Sequence, residues 1–213
     1  MIQQVFEDLY AFLWDDSSQN NCNTYLINRD KKILIDPGHN HLLKQVEKNL
    51  SNINLTLEDI DFVLVTHGHP DHIGGVPSLP KKTQYGLSES EYQFISTVPR
   101  YSIQAKPDFF LNQGNVNIGD VQFEIIETPG HSPGSICIYW PEKKTLFTGD
   151  LVFNQGLGRT DLAGGSTQEL KNSVQKVQSL DIDVLLCGHG DILAGKEAVE
   201  NNFSFVQKLF VFL

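Results

Sequence analysis

The stretch Val65-Thr66-His67-Gly68-His69-Pro70-Asp71-His72-Ile73-Gly74-Gly75 crowds three imidazoles and one carboxylate into six residues. Polar groups are costly to gather unless something pairs with them all. The residues before it, Asp61 to Val65, read as a short and mostly apolar strand, so THGHPDH is a loop just past a strand end. In such a loop alternate side chains project to one side and converge on a cation. Imidazole nitrogen and carboxylate oxygen are the usual non-thiolate ligands of zinc. A hydrogen-bonded surface turn accounts for one histidine, but three with an aspartate at this spacing point to metal.

Three other loops carry what such a site lacks. TPGHSPG offers His131, FTGD offers Asp150 and LCGHGD offers His189, and each follows an apolar run. Glycine beside Asp150 and on both sides of His189 permits sharp turns at strand ends. Singly, each loop reads as turn chemistry; four polar loops at strand ends suggest convergence.

Working outward, Val5 to Trp14, Asn23 to Asn28 and Lys32 to Ile35 read as strands, the last ending in the turn Asp36-Pro37-Gly38. Asn40 is placed to cap a helix in which Leu42, Leu43, Val46 and Leu50 follow helical spacing. Ser88 and Glu91 fit a capping box that opens a helix near Glu89 to Ile95. Pro99 and Pro107 bracket an irregular stretch, RYSIQAK, read as the link between two halves. Strands resume around Val116 to Asn117, Val121 to Glu127, Ser135 to Trp140 and Lys144 to Phe147. Ser166 and Glu169 form a second capping box, followed by the apolar stripe Leu170, Val174, Val177 and Leu180. Asp183 to Cys187 is a last core strand, and Lys196 to Leu213 reads as a helix. The closing residues FVFL suit either a buried end or a patch through which two copies form a homodimer. The alternation lacks a strict βαβ rhythm, which argues for a mixed α/β chain of packed sheets with helices outside. Length favours one domain over residues 1–213.

In this order THGHPDH, TPGHSPG, TGD and CGHGD resemble the metallo-β-lactamase superfamily, over Asp36 to His189. The resemblance implies an α/β (α+β) fold, an αββα four-layer sandwich of two similar halves with metal at one sheet edge. It implies His67, His69 and His131 on one ion, Asp71, His72 and His189 on a second, and Asp150 bridging both. Asp71 and Asp150 are the implied catalytic carboxylates, Asp71 as ligand, as orienter of the nucleophile or as acceptor of its proton. Asp36 matches a position that supports the histidine loop; a turn aspartate is the other reading. The implied cofactors are two divalent ions, zinc first, with iron or manganese as alternatives. His39, His41 and the apolar-strand thiol Cys187 carry no ligand role in this scheme.

Composition narrows the partners. Sixteen Lys plus Arg against 26 Asp plus Glu give a formal charge of −10, which repels phosphate backbones and anionic membranes. No nucleic acid or membrane partner is expected, and a small molecule is. Cys22, Cys137 and Cys187 are odd in number and widely spaced, which suits reduced thiols in a cytoplasm. MIQQVFEDLY lacks the basic start and apolar run of a signal peptide. Against this acidity, two divalent ions, two aspartates and a shared hydroxide sum to roughly +1, so the site itself attracts anions.

LVFNQGLGRTDLAGGS resembles the glyoxalase II-like hydrolases of the superfamily, with GRTD followed by a glycine pair. Arg159 is placed either to grip a substrate carboxylate or to clamp its own loop by pairing with Asp161. Lys81, Lys82, Arg100 and Lys106 are further cations of the kind that usually sit on solvated faces. True glyoxalase II enzymes carry a further helical region for glutathione, whereas 24 residues follow His189 here. The resemblance therefore implies a hydrolase that cleaves a thioester, ester or lactone of a small, anionic metabolite with a metal-held hydroxide. The alternative is an oxidoreductase like the mononuclear iron persulfide dioxygenases, which share the fold and the GRTD segment. A non-catalytic binding module is disfavoured because no ligand position is lost.

Overall fold

The structure, a computed structural model, describes residues 1–98 and 106–212. Apart from Lys106, the expected link RYSIQAK lies outside these residues, as does Arg100. The chain opens with an antiparallel hairpin of β1 (Ile2–Phe6) and β2 (Leu9–Phe12) that turns at Glu7 and Asp8. This corrects the single strand expected over Val5 to Trp14, because Glu7-Asp8 supplies a turn inside that run. Next come β3 (Thr24–Asn28), β4 (Lys32–Ile35), β5 (Phe62–Leu64), β6 (Gln84–Leu87) and β7 (Phe109–Phe110). These seven strands form one sheet in sequential order, antiparallel through β4 and parallel from β4 to β7.

Side-chain alternation decides which face goes where. Tyr25 and Ile27 of β3, with Ile33 and Ile35 of β4, face the second sheet, while Leu26 and Leu34 face outward onto helices. The outer face is covered by α1 (Leu43–Ser51), whose Leu43, Val46 and Leu50 are buried, by the short α2 (Pro70–Ile73), and by α3 (Glu89–Thr97) through Ile95.

The second sheet contains β8 (Gly114–Ile118), β9 (Val121–Glu127), β10 (Ile136–Trp140) and β11 (Thr145–Gly149). A separate hairpin of β12 (Val152–Phe153) and β13 (Gly156–Leu157) follows, and the sheet is completed by β14 (Val184–Cys187) and β15 (Leu193–Ala194), in the order β15-β14-β11-β10-β9-β8. Its inner face meets the first sheet through Phe123, Ile125, Ile138, Trp140, Phe147 and Leu186, all at most 1% exposed. Its outer face packs on α4 (Thr167–Val177) and α5 (Lys196–Leu209). Helix, sheet, sheet, helix is the expected four-layer order, and each fully buried apolar side chain contributes about 1.5–3 kcal/mol.

Strand direction sets the functional edge. In the second sheet β10 runs antiparallel to both β9 and β11, and β14 runs parallel to β11. Hence β9, β11 and β14 point the same way, and the loops bearing His131, Asp150 and His189 emerge at one edge. In the first sheet β4 and β5 are parallel, so the loops of Asp36 and of His67 also leave together.

Two local expectations change, and the alternatives for the tail divide between its residues. The helix after Asn40 starts as a turn of 3-10 helix over Asn40–Leu42, and the Asn40 side chain accepts from Ser78 Oγ at 2.6 Å instead of capping. Ser88 does cap α3, accepting from the Glu91 N–H at 3.1 Å, but the Glu91 carboxylate turns inward and does not close the capping box. At the other end Phe210 packs against the core of the second half, and its carbonyl accepts from Lys171 Nζ at 2.8 Å, while Val211 is 84% exposed. No helix among the described residues is long and apolar enough to cross a membrane.

Candidate metal centre

Five of the seven histidines, with Asp71 and Asp150, meet at that edge. Three groups of donor atoms lie close enough to hold an ion: His67, His69 and His131; His67, His72 and Asp150; and Asp71, His72 and His189. His67 and His72 are fully buried, and His69, Asp71 and His131 nearly so. Every side chain singled out for a ligand role is therefore in this cluster. Glycine makes room for it: a Cβ on Gly188 would collide with Asp150 Oδ1 and His72, and Gly149 sits at φ +47°, a left-handed backbone that lets Asp150 turn in.

The surrounding hydrogen bonds assign the ring nitrogens. His131 Nδ1 lies 2.7 Å from the Arg159 carbonyl, which can only accept, so Nδ1 carries the hydrogen and Nε2 is a lone pair. Thr66 Oγ donates to Asp36 Oδ2 at 2.7 Å and is left to accept from His67 Nδ1 at 3.1 Å, so His67 Nε2 is also a lone pair. Both lone pairs converge on His69 Nδ1, at 3.0 Å from His67 and 2.8 Å from His131. One ring hydrogen on His69 satisfies at most one of them. Three nitrogens gathered this way fit a cation better than they fit one another.

The second group repeats the logic. Asp36 Oδ2 accepts from His72 Nδ1 at 2.8 Å, which leaves His72 Nε2 facing Asp150 Oδ1 at 3.2 Å. Apart from facing each other, neither atom has a hydrogen-bond partner among the described residues. Two acceptors at this separation require either a proton or a metal ion. Asp150 Oδ2 also lies 3.4 Å from His131 Nε2 and 3.5 Å from His189 Nε2, so this carboxylate sits between the two groups. Asp71 Oδ2 is 3.4 Å from His189 Nε2 and accepts from Asn20 Nδ2 at 2.6 Å.

Titration in the metal-free protein agrees with this division. Burial, reinforced by the neighbouring imidazoles, drives His67 well below its ordinary value and His69 down to about 4, so both rings are neutral at pH 7. Burial pulls His72 down as well, but the charges of Asp150 and Asp36 outweigh it and hold that ring well above its ordinary value. His189 is also opposed by burial, yet its bonds to Asp150 and Asp71 lift it to about 9. Burial pushes Asp71 and Asp150 up, and the His72 and His189 cations hold both well below the carboxylate range. Without metal, protons on His72 and His189 thus supply the positive charge that the two carboxylates demand.

Asp36 combines both roles considered for it. Its backbone is left-handed, at φ +52°, and its Oδ1 accepts from the Thr66 N–H at 2.8 Å. The Arg159 side chain pairs bidentately with Asp161 at 2.7 and 2.6 Å, which is the loop clamp, while its carbonyl orients His131. Cys187 is a buried free thiol outside every donor group, and the His39 and His41 rings lie 4.9 Å apart, tilted to each other, without joining one.

A cleft of about 590 Å³ opens onto the cluster, with Asn20, His39, Phe153, Leu157, Arg159 and Leu162 around its walls. A neighbouring hollow of about 380 Å³, lined by Trp14, Asp15, Asp16 and Gln19, shares Asn20 and His189 with it. Asn20, Thr66, Glu91 and the Arg159 carbonyl were missed as site groups by sequence reasoning. Thr66 adjoins the histidine motif and could have been found, whereas a backbone carbonyl leaves no residue-type signal at all.

Residues 18–189 match the metallo-β-lactamase superfamily. The chain belongs to the metallo-β-lactamase superfamily. Members of this superfamily are metal-dependent, and the present chain shares 32% identity over 201 residues with the hydroxyacylglutathione hydrolase GloC of Haemophilus influenzae, covering 87% of this chain and 92% of that one. It shares 30% over 175 residues with the hydroxyacylglutathione hydrolase of Francisella tularensis subsp. novicida, covering 79% of this chain but 62% of that protein. Among solved structures, the B3 metallo-β-lactamase BLEG-1 superposes with a TM-score of 0.71 at 30% identity, over 86% of this chain and 94% of that one. This superfamily member is thus similar to metallo-hydrolases, and its four-layer fold agrees with theirs.

Proposed function

We propose that this chain is a dinuclear metal hydrolase, with zinc in both positions, that cleaves thioesters, esters or lactones of small metabolites. The observation that carries the reading is Asp150, whose two oxygens lie 3.2 to 3.5 Å from ring nitrogens of His72, His131 and His189 and so face both donor groups at once. His67, His69 and His131 would hold one ion, Asp71, His72 and His189 the other, and Asp150 both. When bound, the ions supply a hydroxide nucleophile at neutral pH and take up the negative charge that develops on the substrate oxygen.

The chain's own groups do the rest. Asp36, the Thr66 hydroxyl and the Arg159 carbonyl fix three imidazole tautomers, so the ligand nitrogens need no reorganisation. Asp71 is held by Asn20 and His189 on the cleft wall, where it orients the nucleophile. Phe153, Leu157 and Leu162 form an apolar wall that shields an acyl group from water. Arg159 is paired with Asp161, so its guanidinium is engaged in its own loop and not held free for a substrate carboxylate. The similarity to hydroxyacylglutathione hydrolases supports thioester cleavage. The reading includes a cytoplasmic setting and pairing of two copies through the tail, the latter tested by light scattering on a chain ending at Leu209.

The test is metal analysis of the purified protein together with a panel of thioester, ester, lactone and phosphodiester substrates. Two zinc ions per chain and turnover of an acyl substrate are expected, with turnover abolished in Asp150→Ala. Full activity in that variant refutes the reading. One iron per chain with oxygen uptake on glutathione persulfide replaces it with the dioxygenase alternative.

A further inference from the structure

Glu91 is a carboxylate with 0% exposure on the first turn of α3, outside every donor group. Its Oε1 accepts the Gly68 N–H at 2.8 Å and its Oε2 accepts the Gly134 N–H at 2.8 Å. Ser132 Oγ lies within donating distance of both oxygens, at 2.6 and 2.7 Å. Gly68 stands between His67 and His69, and Ser132 follows His131. One side chain therefore ties the loop after β5, in the first sheet, to the loop after β9, in the second. The fit is tight: a Cβ on Gly68 would press on Ile95 and Glu91, and one on Gly134 would collide with the backbone of Glu91.

The two loops that Glu91 joins carry the three nitrogens of the His67, His69 and His131 group; Asp71 and His72 follow in α2, past the gripped Gly68, His189 is on a third loop, and none of the three bonds to Glu91. We propose that Glu91 is a positioning residue that sets the spacing of the three-histidine group, so that its loss weakens one metal position and spares the other. This rests on the dinuclear reading above. Each oxygen of Glu91 faces a backbone N–H, and a carboxylate alone offers an acceptor to both. In Glu91→Gln the amide nitrogen must face one of those N–H groups, and the donor pair pushes one loop away from its partner.

The experiment titrates metal-free wild type, E91Q and S132A with Zn²⁺ against a chromophoric chelator, and with Co²⁺ followed by visible absorption. Circular dichroism and melting of the metal-free forms check that each is folded. Wild type takes up two ions. E91Q keeps one at wild-type affinity and binds the other at least about 10-fold more weakly, with an altered Co²⁺ spectrum. S132A, which retains both N–H bonds, shows a smaller loss of about threefold at the same position and carries the test if E91Q does not fold. Wild-type affinity for both ions in E91Q and S132A overturns the proposal, and so does an equal weakening of both positions. A wild type that holds fewer than two ions overturns the dinuclear reading itself, and the selectivity claimed for Glu91 with it.

Discussion

Asp36→Asn offers the sharpest perturbation of the second donor group. The two Asp36 oxygens serve three donors: the Thr66 N–H at 2.8 Å, the Thr66 hydroxyl at 2.7 Å and His72 Nδ1 at 2.8 Å. Asparagine is nearly isosteric but offers one acceptor oxygen, so its NH₂ group must face one side of this network. If it faces His72, the ring switches tautomer to accept at Nδ1, and Nε2 acquires a hydrogen directed at Asp150. That nitrogen can then no longer hold a metal. If it faces the Thr66 backbone, a buried N–H loses its partner at a cost of about 1–3 kcal/mol of stability. Tautomer switching is the cheaper route, and loss of such an orienting partner lowers metal affinity about 10 to 100-fold, or roughly 1.4–2.7 kcal/mol. Chelator-competition titration is the assay, with thermal melting of the metal-free form beside it. Metal held at wild-type affinity, together with an unchanged melting temperature, refutes the tautomer argument.

Further outcomes follow from the same geometry. Arg159→Ala removes an exposed guanidinium already paired with Asp161 but keeps the carbonyl that orients His131, so metal content should stay constant and kcat/KM on an acyl substrate should change less than about threefold. Burial pushes the Cys137 and Cys187 thiols from 9.0 up to about 12. The unfolded chain therefore loses these protons first, and the thiols' contribution to stability, complete below pH 9, falls as pH rises from 9 toward 12, which denaturant titration across that range checks. The same burial predicts no reaction of native thiols with a disulfide reagent at pH 8. Ile138→Ala, in the core between the sheets, should cost about 2–5 kcal/mol of unfolding free energy by urea titration.

Much of the centre was legible because its residue types are rare together. His67, His69, Asp71 and His72 announce themselves within six residues, and His131, Asp150 and His189 each end an apolar run beside glycine. The sandwich was legible through strand alternation, as at Leu26 between Tyr25 and Ile27. What escaped shares one cause: the same local signal serves two ends. Ser-x-x-Glu at Ser88 is a true cap, yet Glu91 spends its carboxylate on loops 23 and 43 residues away in sequence. Glu7-Asp8 is a turn that also reads as polar alternation within a strand. Asn20 gave no warning, since its bond to Asp71 spans 51 residues and exists only after folding.

The donors stretch from His67 to His189, 122 positions apart, and are supplied by both sheets. Closing so long a span carries an entropic cost, and the complete donor groups come together only once the sheets have stacked. Metal therefore arrives late on the pathway and acts as a lock on a finished sandwich, not as a seed for it. Refolding begun in a chelator should run at the same speed as refolding begun with zinc, and only the later unfolding should be slowed by the ion.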